Sequence, residues 1–214
     1  LAIVKDANRH GSVSANLTAM LNCADQSTEL LSTDTLRVIN DIRDGLVELD
    51  STLAGDLAAA PEEALDPLVT ALMALAGLAQ ESMIRDIAWR FMEIGRRLER
   101  GLQTTAIINS LVVPEVAEVD QNVLLQTALQ STEALISYRR RYRARMGVQS
   151  SLDLIMLDTD NPRSLLFQLE SLNQHIQQLP KAHDNKHELL PEERASLECK
   201  TLIELSLLTD LSAR

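Results

Sequence analysis

Arg96, Glu99 and Gln103 follow one another at three- and four-residue spacing, one helical turn apart if the segment is helical. At about 100° per residue, Ile87, Phe91, Ile94, Leu98, Leu102 and Thr105 fall on one stripe, the expected core face. Ala88, Met92, Gly95, Glu99 and Ala106 fall on the adjacent face. Glu99 is therefore expected to be partly withdrawn from water, with Arg96 and Gln103 on either side. Desolvation raises a carboxylate pKa and a neighbouring guanidinium lowers it. Such tension suits a general acid/base or an ammonium-binding group. The competing reading is a structural Glu–Arg tie between helices, of little net stability.

A second constellation is Tyr138-Arg139-Arg140-Arg141-Tyr142. Tyr138 and Tyr142 share a face with Leu124, Ala128, Ser131 and Leu135, so both rings are expected to point inward with hydroxyls seeking partners. With Arg139 beside them, they form a candidate carboxylate or anion clamp. The plainer account is a basic helix end complementing the helix dipole, which explains Arg143 and Arg145 better than it explains the paired tyrosines.

Other motifs fail their tests. Asp158-Thr159-Asp160-Asn161-Pro162-Arg163-Ser164 opens like a calcium loop, but Arg163 stands where the turn needs Gly and Leu169 where Glu would ligate. A helix cap at Asn161 with Pro162 in the first turn is the better account, and leaves Arg163 within reach of Asp153 or Asp158. His183 and His187 have i, i+4 spacing but lie in a loop-like stretch without an HExxH pattern, so no metal site is expected. There is no GxGxxG, P-loop or GxSxG, hence no cofactor motif, and Cys23, Cys199 and Ser131 lack a nucleophile's context. Asn16-Leu17-Thr18 is a sequon with no secretory signal beside it.

Composition sets the outer limits. The chain has 214 residues, formal net charge -11, 45% hydrophobic residues and 2% aromatics. So acidic a surface does not suit nucleic acid. Four lysines against sixteen arginines, ten of them from Arg85 to Arg145, point to fixed bidentate pairing rather than simple solubility. Two cysteines without CxxC spacing fit a reduced, cytoplasmic chain, and no apolar run of 18 residues is present to span a membrane.

Hydrophobic spacing is helical almost throughout, which predicts an all-α bundle of seven or eight helices. Expected helices run from about Ser12 to Leu31, from a Thr33 cap through Leu49, and from Pro61 to about Met83. Others run from Arg85 to Val112, Val116 to Met146, Pro162 to Pro180, and Pro191 to Leu211, with a short apolar stretch at Ser151–Leu157. A shift of 152 positions aligns Ile3 with Ile155, Asp6 with Asp158, Ser12 with Ser164 and Leu17 with Leu169. This reads as a pseudo-repeat in which residues 1–31 close a truncated first half and residues 32–214 form the second. Leu1 in place of an initiator Met fits the same reading of a fragment or processed product.

Trp89-Arg90-Phe91 through Gly95-Arg96-Arg97-Leu98-Glu99-Arg100, then Tyr138–Tyr142, then Leu152–Ser164 with Phe167-Gln168-Leu169, together resemble the bacterial alpha-E domain family. The resemblance implies an all-helical domain fused to, or encoded beside, circularly permuted ATP-grasp ligases and transglutaminase-like proteins. It implies a setting of ATP-dependent amide-bond formation and peptide modification. Such proteins carry an earlier "YW-x-G-R-x-x-E-R" copy that this chain lacks, and Arg9-His10 stand where their "D-x-x-N-P-x-S" form has Asn-Pro. The expected role is a helical accessory domain of an ATP-grasp amide-ligase system, binding a peptide, amine or carboxylate intermediate. Glu99 would hold an amine or move a proton. Arg96, Arg139 and Arg163 would hold carboxylate, with Tyr138, Tyr142 and Gln103 lining the site. A non-catalytic scaffold that docks an ATP-grasp or protease partner through an exposed apolar patch, and a stand-alone amidase or transferase, are the alternatives; a homo-oligomer is a further expected assembly.

Overall fold

A computed structural model describes residues 2–53, 61–114, 116–143, 146–181 and 188–209. The described residues contain ten α-helices and no strand. They divide into two compact units, Leu1–Trp89 and Arg90–Arg214. No described helix is long and apolar enough to cross a membrane. His183 and His187 lie outside the described residues.

The first unit holds α1 (Ala2–Lys5), α2 (Val13–Gln26), α3 (Thr33–Thr52) and α4 (Pro61–Glu81). Leu17 and Leu21 of α2 pack with Val38, Ile39, Ile42 and Leu49 of α3 and Leu68 of α4. The cap of α3 is Ser32, one residue before the expected Thr33: its Oγ accepts the Thr35 N–H at 3.1 Å. A Cβ on Gly45 would stand 2.9 Å from Leu68 Cδ2, so the missing side chain lets α3 and α4 close up.

The second unit takes most of α5 (Ile87–Ile107), then α6 (Glu118–Ser131), α7 (Leu135–Tyr142), α8 (Val148–Leu152), α9 (Leu165–Gln177) and α10 (Pro191–Glu204). Helices α5 and α8 each run on into one π-helical turn, Ile108–Val112 and Asp153–Leu157. Its core gathers Ile108, Leu125, Leu129, Tyr138, Leu152, Leu154, Ile155 and Leu165. The single helix expected from Val116 to Met146 is two. Thr132 Oγ1 donates to the Ala128 carbonyl at 2.9 Å, and Glu133 turns left-handed at φ 54°, which ends α6.

Another correction falls at the start of α9. Asn161 does not cap it; Ser164 does, accepting the Phe167 N–H at 3.1 Å. Asn161 instead donates to the Leu154 carbonyl at 2.8 Å and accepts the Arg163 N–H at 3.0 Å, an Asx turn. The same geometry recurs 152 residues earlier. Ser12 is fully buried, caps α2 by accepting the Ala15 N–H at 3.1 Å, and donates to the Asp6 carbonyl. Ser164 donates likewise to the Asp158 carbonyl. Asp6 and Asp158 each accept a backbone N–H two residues on, at 3.0 and 2.9 Å.

Burial decides which side chains carry stability. Ile155→Ala, at a position with no exposure, should cost about 2–5 kcal/mol in urea unfolding. Leu102→Ala, at 57% exposure, should cost under about 0.5 kcal/mol although its spacing places it on the expected core face.

Candidate functional site

Helix α5 is turned the opposite way from its apolar periodicity. Phe91, Leu98 and Leu102 are exposed and Ile94 is only half-buried. The residues facing inward are Trp89, Glu93, Gly101, Thr104 and Ile108, with Arg96, Arg97 and Arg100 half-buried beside them. They fall at i, i+4, i+12, i+15 and i+19, so the period is helical, but the face is the one that carries Glu93 and the arginines. Asp86 opens the helix by accepting the Trp89 N–H at 2.9 Å.

The carboxylate withdrawn from water is Glu93, 1% exposed, and not Glu99, which is exposed. Arg96 pairs with one Glu93 oxygen, and Arg97 Nη2 lies 3.0 Å from the other. Arg97 also stands over the Phe167 ring, 5.6 Å from its centroid, and its Nη1 reaches Gln168 Oε1 at 3.5 Å. Gln168 in turn donates to the Pro162 carbonyl at 2.6 Å. A Cβ on Gly101 would lie 3.7 Å from Leu165 Cδ1, so α5 and α9 meet closely there. Burial lowers the pKa of Arg96, against the pull of Glu93. Burial lowers that of Arg100 as well, reinforced by Arg163, Arg96 and Arg97. The His175 pKa is lowered by burial first, while Glu93 opposes and Arg97, Arg90 and Arg96 assist.

The tyrosines form a different assembly. Tyr138 is 1% exposed, and the two rings stand 4.8 Å apart at 42°. The Gly147 N–H donates to Tyr138 Oη at 3.1 Å, and Ser150 Oγ donates to the Gly147 carbonyl at 3.1 Å. With that hydrogen committed, Tyr138 donates to Ser150 across 2.6 Å. Tyr142 donates to Asp153, and burial followed by this hydrogen bond pushes its pKa up to about 12. Both hydroxyls thus tie α7 to α8 rather than face Glu99. Arg139 is exposed, in a shallow surface hollow with Ser137, Arg140, Arg141 and Arg143. Arg141, not Arg163, holds Asp158, at 2.6 Å; Arg163 pairs with Glu133 at 2.8 Å. Gln103 is exposed. Among the described residues, no hydrogen bond or ion pair joins Glu99 to Arg96, Arg139, Tyr138 or Tyr142. Nor does any described group of three or more His, Cys, Asp or Glu residues suit a metal ion.

The whole chain, residues 1–214, matches the family described as "a predicted alpha-helical domain with a conserved ER motif". This chain belongs to the Alpha-E family. It is 30% identical over 189 residues to the uncharacterized protein Rv2567 of Mycobacterium tuberculosis, covering 84% of this chain and 20% of that protein. The uncharacterized protein Mb2597 of Mycobacterium bovis aligns with the same identity and coverage. The chain thus spans about a fifth of the length of the curated relatives it matches. No solved structure matches it. Glu-Arg occurs twice in the chain, at Glu99-Arg100, in the stretch that carried the resemblance, and at Glu193-Arg194. Adjacent helical residues diverge by about 100°, so Glu99 points to water while Arg100 turns toward the arginine cluster.

Hydrophobicity alone does not single out Glu93, because the apolar stripe of α5 is the more regular of its two helical faces. The available signal was Glu93 with Arg96 and Arg97 at i+3 and i+4, in register with Trp89, Gly101, Thr104 and Ile108.

Glu93→Gln leaves Arg96 and Arg97 without their shared carboxylate and should destabilise the fold by about 3–5 kcal/mol in urea titration; Glu99→Gln should change it by under about 0.5. A His175 pKa below its ordinary 6.5 favours the neutral ring in the fold. Stability from this group is full above about pH 6.5 and lost as pH falls through and below it. Unfolding midpoints measured from about pH 7.5 to 5.5 should therefore drop, and His175→Gln should flatten that slope.

Proposed function

We propose that this chain is a helical partner domain of an ATP-grasp amide-ligase system. It docks through the solvent-facing side of α5 and binds a peptide, amine or carboxylate intermediate at the border of that side, where Glu99 meets the half-buried arginines. The observation carrying this reading is the row Phe91, Leu98 and Leu102, exposed at 59%, 47% and 57% on one helix face. Burying such side chains is worth about 1.5–3 kcal/mol each, a driving force that remains unused in the chain by itself. Curated relatives five times longer support a domain that works within a larger assembly. The ligase itself is inferred from the resemblance of the three ordered motifs.

Glu99 flanks this row, about 60° around the helix from Leu102. A docked partner would exclude water from it and supply the desolvation that an acid/base or amine-binding carboxylate needs. Arg96, one turn before Glu99 on α5, and Arg163 are partly exposed arginines, each keeping N–H donors beyond those used on Glu93 and Glu133.

The test mixes the chain with the ATP-grasp protein of the same genome. Phe91→Glu with Leu98→Glu should weaken the complex at least tenfold by calorimetry with an unchanged helical CD spectrum. Equal affinity removes the reading. Glu99→Gln should preserve the complex and lower ATP-dependent product formation; full product formation leaves the same face as a non-catalytic scaffold.

A further inference from the structure

The side of α5 that faces α9 carries more positive charge than its carboxylates answer. Arg163, Arg96 and Arg97 all stand close enough to Arg100 to act on it electrostatically. Glu93 serves Arg96 and Arg97, and Glu133 serves Arg163. Among the described residues, Arg100 has no ion-pair or hydrogen-bond partner. Among the described residues, four guanidinium groups against two paired carboxylates leave an excess of two positive charges around Arg100.

Two helices hold these groups in place. Thr104 Oγ1 donates to the Arg163 carbonyl at 3.3 Å, fixing the segment before α9 one turn beyond Arg100. Gly101, next to Arg100, has Leu165 and Gln168 of α9 against it. Buried Glu93 orders Arg96 and Arg97 from behind. The Arg97 Nε–H is buried and donates to no described residue. Solvent still reaches the cluster, since the Arg96 and Arg163 side chains are 22% and 38% exposed. The Glu133 side chain on Arg163 is 70% exposed, so water screens that pair and Arg163 can exchange it for another acceptor.

We propose that Arg100 and Arg163, backed by Arg96 and Arg97, bind a doubly charged oxyanion of the phosphate-monoester type. Its charge matches the local excess of two. The planar forks of neighbouring arginines match its tetrahedral oxygens through paired N–H donors. A monocarboxylate would neutralise only half the excess. Arg100 is the decisive residue: among the described residues it forms no ion pair, and Glu93 acts on it only at a distance. The inference deepens the ligand-binding part of the proposed function and rests on it for Arg96 and Arg163 as ligand groups. It is independent of α5 docking and is read on the chain alone.

Inorganic phosphate and acetate, titrated separately at low ionic strength, are the probes, with binding followed by calorimetry and by the thermal midpoint. Phosphate should bind at least tenfold more tightly than acetate and raise the midpoint. Arg100→Gln should weaken phosphate at least tenfold, and Arg100→Lys by less. Glu133→Gln, an exposed change that cannot unfold the core, frees Arg163 and should tighten phosphate about two- to fivefold. The site is overturned by absent phosphate binding, by acetate binding equally well, by Arg100→Gln binding like the parent, or by Glu133→Gln leaving affinity unchanged. A null result here with ligase binding intact overturns the oxyanion site alone.

Discussion

The ion pairs of Glu93 set the constraints on the second unit. A carboxylate at 1% exposure is expensive unless its charge is answered, and Arg96 and Arg97 answer it from the next turn of the same helix. Arg97 then has to be housed, and α9 houses it with the Phe167 ring and the Gln168 amide. Gln168 passes the constraint on to the Pro162 carbonyl, in the segment that Ser164 caps. A single buried charge thus fixes the rotation of α5, the seating of α9 and the loop between Asp158 and Ser164.

This rotation has a consequence on the opposite side. A helix has only one inward face, and here the polar one occupies it. The apolar stripe that includes Phe91, Leu98 and Leu102 is left to solvent. The Glu99-Arg100 pair straddles the division, with Glu99 on the water side and Arg100 toward the cluster. Two chemically distinct surfaces therefore arise from one helix, an apolar one that suits a protein partner and a cationic one that suits an anion.

The tyrosine-rich segment shows how chemistry-bearing residues can be spent on architecture. Tyr138 and Tyr142 each end in a hydrogen bond to the segment Ser150–Asp153, and Arg141 reaches Asp158. These contacts lock α7 against α8 and its π-helical turn. The recurrence of one serine cap at Ser12 and Ser164, each with its aspartate six residues upstream, shows two loops of the chain solving the same problem identically.

By itself the sequence determined the all-helical class, the positions of most helices, the family and the inward Tyr138, because periodicity, caps and ordered motifs are local properties of the chain. It also held the pairing of Ser12 with Ser164, visible as a shift of 152 positions. It did not determine which of two periodic stripes of α5 turns inward. Each stripe is a helical face, and the more apolar one wins only when nothing else competes. The tertiary structure decided in favour of Glu93, Arg97, Gly101 and Thr104, because α9 supplies Phe167 and Gln168 to Arg97 and packs Leu165 against Gly101. Partners distant in sequence set that balance, and no local pattern records them.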